Sequence, residues 1–165
     1  VTDVFPALAL GLGEGESTVM ERSPRDPEEP VMRRDHWEAI GGYGLLITVA
    51  VLGAFLVALR WWEGQPRVAV TVSFLTLASA QLWHVFNMRD LGSGIWRNEI
   101  TRNPYVWGAL ALSAALLLIA VYVPGLNDLL GTVHPGLKGW GLVIGASLIP
   151  LVIGQILKVI REQFA

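Results

Sequence analysis

Ala39-Ile-Gly-Gly-Tyr-Gly-Leu-Leu-Ile-Thr-Val-Ala-Val-Leu-Gly-Ala-Phe-Leu-Val-Ala-Leu59 contains no Asp, Glu, Lys or Arg. Three further stretches, 68–88, 103–127 and 139–157, share that property. As a helix rising ~1.5 Å per residue, each is long enough to cross the ~30 Å apolar layer of a bilayer. The charged residues lie in blocks between these runs, as expected when lipid excludes them. A shorter apolar run, 4–12, follows Asp3 and contains Pro6. The pattern predicts an all-α membrane protein, with half of one transmembrane helix followed by four antiparallel transmembrane helices.

Composition agrees. Of the 165 residues, 53% are hydrophobic, only 16% are charged, and seven are Trp. A net charge of −2 offers no basic stripe for phosphates, which argues against nucleic acid as a partner. The absence of Cys removes disulfides, thiolate metal sites and cysteine nucleophiles together. The expected partner is the lipid bilayer.

Three regions follow. Residues 1–13 read as the C-terminal half of a helix, since the run is too short to span and no basic leader precedes it. Residues 14–38 form a polar loop with eight acidic residues, four Arg and prolines at 24, 27 and 30. Proline lacks an N–H and restrains its predecessor, so 23–30 is expected to be extended. Residues 39–165 form the four-helix bundle and a short tail. Lys and Arg number nine across 14–38, 89–102 and the tail, against three (Arg60, Arg67 and Lys138) in the alternate loops. The positive-inside rule then places the polar loop and the C-terminus in the cytoplasm. Trp37, Trp61, Trp62, Trp96, Tyr105, Trp107, Tyr122 and Trp140 fall near segment ends, where amphipathic rings suit the headgroup level. Trp83 lies inside a span and reads as packing.

Small residues mark faces for close helix approach. Ala50, Ala54 and Ala58 share one face, and Gly141 and Gly145 form a GxxxG pattern. Pro150 is expected to kink the last span or break its ladder.

Chemistry is sought where polar groups interrupt apolar sequence. Thr2 and Asp3 set a hydroxyl beside a carboxylate, hard ligands for a hard cation. Pro6 cannot donate to the carbonyl of Thr2, which frees another acceptor. Asp3 also admits a reading as an N-cap or solvated terminus. In the second span, Ser73, Thr76, Gln81, His84 and Asn87 share a helical arc of about 140°. That face should point into the bundle, with Gln81 and His84 either on an ion path or hydrogen-bonding between helices. His36 and His134 have no partner at metal-ligand spacing. The glycine pairs at 11 and 13 and at 92 and 94 lack the strand–helix setting of a phosphate loop. Nothing suggests a nucleophile–base pair.

Beyond these local readings, the run from Val1 to Gly11 (VTDVFPALALG) resembles the end of the sixth transmembrane helix of P-type cation pumps of the calcium-ATPase type. The similarity continues through Met20 to Pro30, through Ile40-Gly-Gly-Tyr43, through Asn103-Pro-Tyr105 and Tyr122-Val-Pro124, and through Ile149-Pro150 and Gln155 to Lys158. The resemblance implies helices six to ten of a type II pump, in order across the whole chain.

It further implies that Thr2 and Asp3 are cation ligands and that Gln81 stands where two-calcium pumps carry Glu. His84 stands where those pumps carry Asn, and Asn87 matches the family's Asn. A neutral amide cannot supply a carboxylate's charge, so one divalent cation per cycle is expected. Calcium is the expected cargo, with magnesium or manganese as alternatives. Arg22, Pro24 and Arg25 lie in the loop that, by resemblance, docks on a phosphorylation domain. The family's Asp-Lys-Thr-Gly motif is absent from these residues, so no catalytic residue is assigned here. ATP and Mg²⁺ would bind cytoplasmic domains elsewhere in the pump, whose remaining helices are the other expected partners. The expected setting is a multi-pass protein of the cell membrane. The alternative is a non-enzymatic membrane scaffold acting by helix packing; a small channel is less favoured.

Overall fold

The computed structural model describes residues 4–13, 32, 34–88 and 98–164. Thr2, Asp3, Arg22, Pro24, Arg25, Trp96 and the extended stretch expected at 23–30 lie outside the described residues. Every regular element among those described is helical. They are α1 (Val4–Gly11), α2 (Arg34–Trp61), α3 (Pro66–His84), α4 (Glu99–Arg102), α5 (Pro104–Tyr122), α6 (Leu126–Leu130) and α7 (Gly136–Phe164), with a 3₁₀ turn at Val85–Met88 directly after α3. Four helices are long and apolar enough to cross a membrane: His36–Trp61, Pro66–Met88, Pro104–Tyr122 and Gly136–Ile160.

The helix boundaries depart from the charge-free runs for local reasons. Helix α2 begins at Arg34, before the apolar run, because a helix need not stop where lipid does. Helices α3 and α5 start on Pro66 and Pro104. At that position the missing N–H would have had no intrahelical partner. The third charge-free run continues to residue 127, but α5 ends at Tyr122, at the Tyr122-Val-Pro124 stretch that resembles a helix exit. Val123 has an extended backbone ahead of Pro124, as a residue before proline prefers. Helix α7 runs from Gly136 through Pro150 to Phe164 without interruption. Pro150 is fully buried.

Helix α3 is the hub, touching α2, α5 and α7. Over its most apolar 18 residues 56% are buried, against 17% for α2 and 22% for α7. Val72 and Leu75 of α3, Val106 and Val121 of α5 and Val143 of α7 are closed to solvent and form the core. Ala54 and Ala58, from the small-residue face of α2, are buried as that pattern predicts. Without a hydrophobic drive between helices in lipid, such small side chains permit close packing and dispersion contact. The outward face of α2 is the reverse. Leu45, Val49, Leu52 and Leu56 are all more than half exposed, a surface suited to lipid or to further helices.

Side-chain contacts fix the directions. Tyr43, near the start of α2, meets His84 at the end of α3. Asn87 meets Pro150 and Gln155 in the second half of α7. Neighbours in sequence therefore run antiparallel, and α3 and α7 run side by side in the same direction. The GxxxG glycines of α7 are not used to pack the described helices. Gly141 and Gly145 are exposed and line an apolar groove of about 940 Å³ between α2 and α7.

Candidate functional site

Helix α1 is described from Val4 to Gly11, and Pro6 is buried within it. At the far end the last turn tightens: the Gly13 N–H donates to the Leu10 carbonyl at 3.1 Å. The Ala9 carbonyl is taken up instead by the Nδ2 of Asn103 at 2.9 Å. Asn103 is itself buried, and its Oδ1 accepts the Tyr105 N–H at 2.9 Å, capping α5. Both contacts fix the amide orientation, because the flipped group would oppose oxygen to oxygen and N–H to N–H. One side chain thus closes the end of α1 and opens α5.

The polar arc of α3 divides into two parts. Ser73 and Thr76 donate back into their own helix, to the carbonyls of Val70 and Val72 at 2.9 and 2.7 Å. Their hydroxyls are satisfied locally. Gln81 and His84 are partly buried, and the His84 ring stands edge-on to Tyr43 with centroids 4.7 Å apart. Between Gln81 and His84 in sequence, the Nε1 of Trp83 donates to Ser147 of α7 at 3.2 Å, a packing role of the kind expected for that residue.

Asn87 lies in the 3₁₀ turn and is only 4% exposed. Its Oδ1 accepts from the Nε2 of Gln155 at 2.9 Å, and the same Nε2 donates to the Phe86 carbonyl at 2.9 Å. The Nδ2 of Asn87 reaches the Pro150 carbonyl at 3.4 Å. The close fit depends on Gly154: a Cβ there would lie 2.6 Å from both Asn87 Nδ2 and Tyr43 Cε1. Glycine is needed where another helix approaches this near. His84 and Asn87 are therefore gathered with Tyr43, Gly154 and Gln155 at one end of the bundle, while Gln81 lies about one turn earlier on α3.

The other end is organised by the segment between α6 and α7. Thr71 Oγ1 donates to the Arg67 carbonyl and accepts the Val133 N–H, at 2.9 and 3.0 Å. Thr132 Oγ1 donates to the Ala120 carbonyl at 2.6 Å. His134 uses its Nδ1 to accept the Gly136 N–H at 2.9 Å and sets its ring edge-on to Tyr122. Trp140 Nε1 donates to the Tyr122 hydroxyl at 2.9 Å. His36 is exposed on the first turn of α2. Among the described residues, no three His, Asp or Glu side chains gather in one place.

Sequence reasoning missed Gln155, Tyr43 and Asn103 as structural ties. Asn103 had a readable signal, since Asn before Pro is a favoured helix start. Its second bond, to a carbonyl 94 residues earlier, had none. The short helix α4 was also missed, although Asn98 and Thr101 form a reciprocal capping box.

Against known proteins, the family profile described as "Cation transporting ATPase, C-terminus" matches residues 1–160. A calcium-transporting ATPase of Bacillus subtilis is 40% identical over 95% of this chain, which covers 18% of that protein. Calcium-transporting ATPase lmo0841 of Listeria monocytogenes is 31% identical over 99% of the chain and 18% of its own length. Calcium-transporting ATPase 1 of Bacillus cereus is 27% identical over 99% of the chain and 20% of its length. The chain spans about a fifth of the relatives it matches.

Proposed function

The chain belongs to the cation-transporting ATPase family, whose C-terminal region it carries, and on that premise we propose that it supplies ion ligands and bundle scaffold to an ATP-driven calcium pump. Residues 1–13 are the second half of the sixth transmembrane helix, 14–38 a cytoplasmic loop, and 39–165 the last four helices with a cytoplasmic tail in the cell membrane. The observation that carries the reading is that the family match includes Thr2, Asp3 and Pro6, the segment where hard oxygen ligands and a freed carbonyl coincide.

Asp3 supplies charge to the cation, Thr2 a neutral oxygen, and Gln81 an amide oxygen from α3. A carboxylate held at membrane depth is stable only with compensation, and a divalent cation provides it. With Gln81 neutral, the pump moves one calcium per cycle. Arg22, Pro24 and Arg25 dock the loop on the phosphorylation domain. ATP and Mg²⁺ act in domains encoded elsewhere in the pump.

The test uses the intact pump in membrane vesicles. Asp3→Asn is expected to abolish calcium-dependent phosphorylation from ATP, and wild-type vesicles to take up one calcium per ATP. Retained high-affinity activation in the variant would remove Asp3 from the site, and a ratio of two would remove the role given to Gln81.

A further inference from the structure

We propose that the groove between α2 and α7 binds one anionic phospholipid, with its acyl chains along a glycine-lined floor and its headgroup at Lys138. The groove shares no residue with the proposed ion ligands.

One face of each helix builds it. Ala50, Gly53 and Val57 of α2 recur every three or four residues, as do Gly141, Gly145 and Ile149 of α7. At ~3.6 residues per turn, each set lies on a single side of its helix. Gly53, Gly141 and Gly145 are exposed, and a Cβ built on any of them meets no atom within 4 Å. Contacts among the described helices therefore do not require these glycines, in contrast to Gly154. Their effect is to leave about 940 Å³ open on an apolar surface.

The groove is a wedge whose length favours a lipid. At its narrow end α2 and α7 close up: a Cβ on Gly154, the residue after Ile153 of the lining, would lie 2.6 Å from Tyr43 Cε1. At its wide end stand Trp61, Trp62 and Lys138. From Lys138 to Ile153 helix α7 rises ~22 Å, at ~1.5 Å per residue. One leaflet of a bilayer, headgroups included, is about as thick, at ~20–22 Å. A partner's transmembrane helix would need a seam across the whole ~30 Å apolar layer, and the wedge shuts before that.

The wide end carries the matching charge. Among the described residues lining the groove, Lys138 alone is charged. It is exposed and directly precedes the charge-free run 139–157, which sets it where the apolar layer meets the headgroups. A Lys at that level lays its stem on apolar surface and keeps its ammonium among phosphates. One such charge favours an anionic lipid about fivefold. Trp61 and Trp62 suit the same level with their amphipathic rings.

The test uses the intact pump, purified in detergent, stripped of lipid and titrated with phosphatidylglycerol or with phosphatidylcholine. The readouts are the thermal inactivation midpoint, the phospholipids retained per pump, and any polypeptide that copurifies. Lys138→Gln is expected to raise the half-saturating phosphatidylglycerol concentration about fivefold and to leave that of phosphatidylcholine unchanged. Gly145→Leu and Gly53→Leu fill the groove from opposite sides. Each should retain one phospholipid fewer than wild type and lose the lipid-induced rise in midpoint. Their lipid-free midpoints should equal or exceed that of wild type, because Leu is the better helix former.

Unchanged phosphatidylglycerol dependence in Lys138→Gln would overturn the headgroup assignment. Full lipid retention in both Leu variants would overturn the site. Lower lipid-free midpoints in both Leu variants would show that another helix of the pump fills the groove, and would overturn it too. So would loss, in those variants, of a copurifying membrane polypeptide or of a second copy of the pump in place of a phospholipid.

Discussion

The two ends of the bundle are held together by different means. At the Asn87 end, residues on three helices meet directly: Tyr43 on α2, Asn87 after α3, and Gly154 with Gln155 on α7. Asn103 adds the tie between α1 and α5. At the Thr71 end the helices are joined through an intervening segment, whose backbone is caught by Thr71 and whose own Thr132 reaches back to α5. The first arrangement sets the distances between helices; the second fastens a connection laid across them. A change of side-chain volume should therefore be felt more at the first end, where backbone spacing itself must yield.

Gly154→Ala gives the largest expected effect. The added Cβ meets side chains from two helices at 2.6 Å, well inside contact distance. Overpacking of this kind costs about 1–3 kcal/mol. It should lower the thermal inactivation midpoint of the detergent-solubilised pump. Shortening the neighbour in the same chain, as in Gly154→Ala with Asn87→Ser, should recover part of the loss, so the pair should be non-additive. An unchanged midpoint in the single variant would mean that the Asn87 end is as adaptable as the other, and the contrast would fail.

The unequal ends also explain what could be read from sequence. The four spans were legible because lipid imposes a length and excludes charge, a rule that needs no partner residue. Ala54 and Ala58 were legible in the same way, as small residues at helical spacing. The Gly141 and Gly145 pair obeys the same pattern, yet it lines an open groove: a pattern shows that a face can pack, not what packs on it. The polar arc of α3 was drawn from angular spacing alone, which cannot tell a hydroxyl bonded within its own helix, such as Thr76, from an amide bonded across helices, such as Asn87. Gln155 and Asn103 were illegible as ties because their partners lie 68 and 94 residues away. The ion-ligand roles proposed for Thr2 and Asp3 rest on family resemblance and on the pairing of a hydroxyl, a carboxylate and a proline.

A smaller effect is expected at the opposite end from Thr71→Val. The replacement has nearly the same shape but removes the hydroxyl that accepts the Val133 N–H at 3.0 Å. Polar contacts between membrane helices contribute about 0.6 kcal/mol on average and up to ~1.7. The buried position of Thr71 puts its loss toward the upper half of that range. The same inactivation assay should show a drop smaller than that of Gly154→Ala, with Thr71→Ser close to wild type because it retains the oxygen. A larger drop for Thr71→Val than for Gly154→Ala would reverse the ranking of the two ends.

Trp140→Phe should have the least effect, although its bond to the Tyr122 hydroxyl is as short as those of the buried pairs, at 2.9 Å. Length does not decide the matter; surroundings do. Tyr122 is 46% exposed, so its hydroxyl can exchange Trp140 for water or a lipid headgroup at little cost. Substitutions away from buried features usually stay within about 0.5 kcal/mol. The ring contact between Tyr122 and His134, with centroids 4.7 Å apart, does not involve the indole and should persist. The midpoint of Trp140→Phe is therefore expected to lie within error of wild type, and within error of Tyr122→Phe, which removes the same bond from its other side. If both variants instead fell as far as Thr71→Val, the exposed rim would be carrying load, and the Thr71 end would be braced at its surface as well as by its buried hydroxyls.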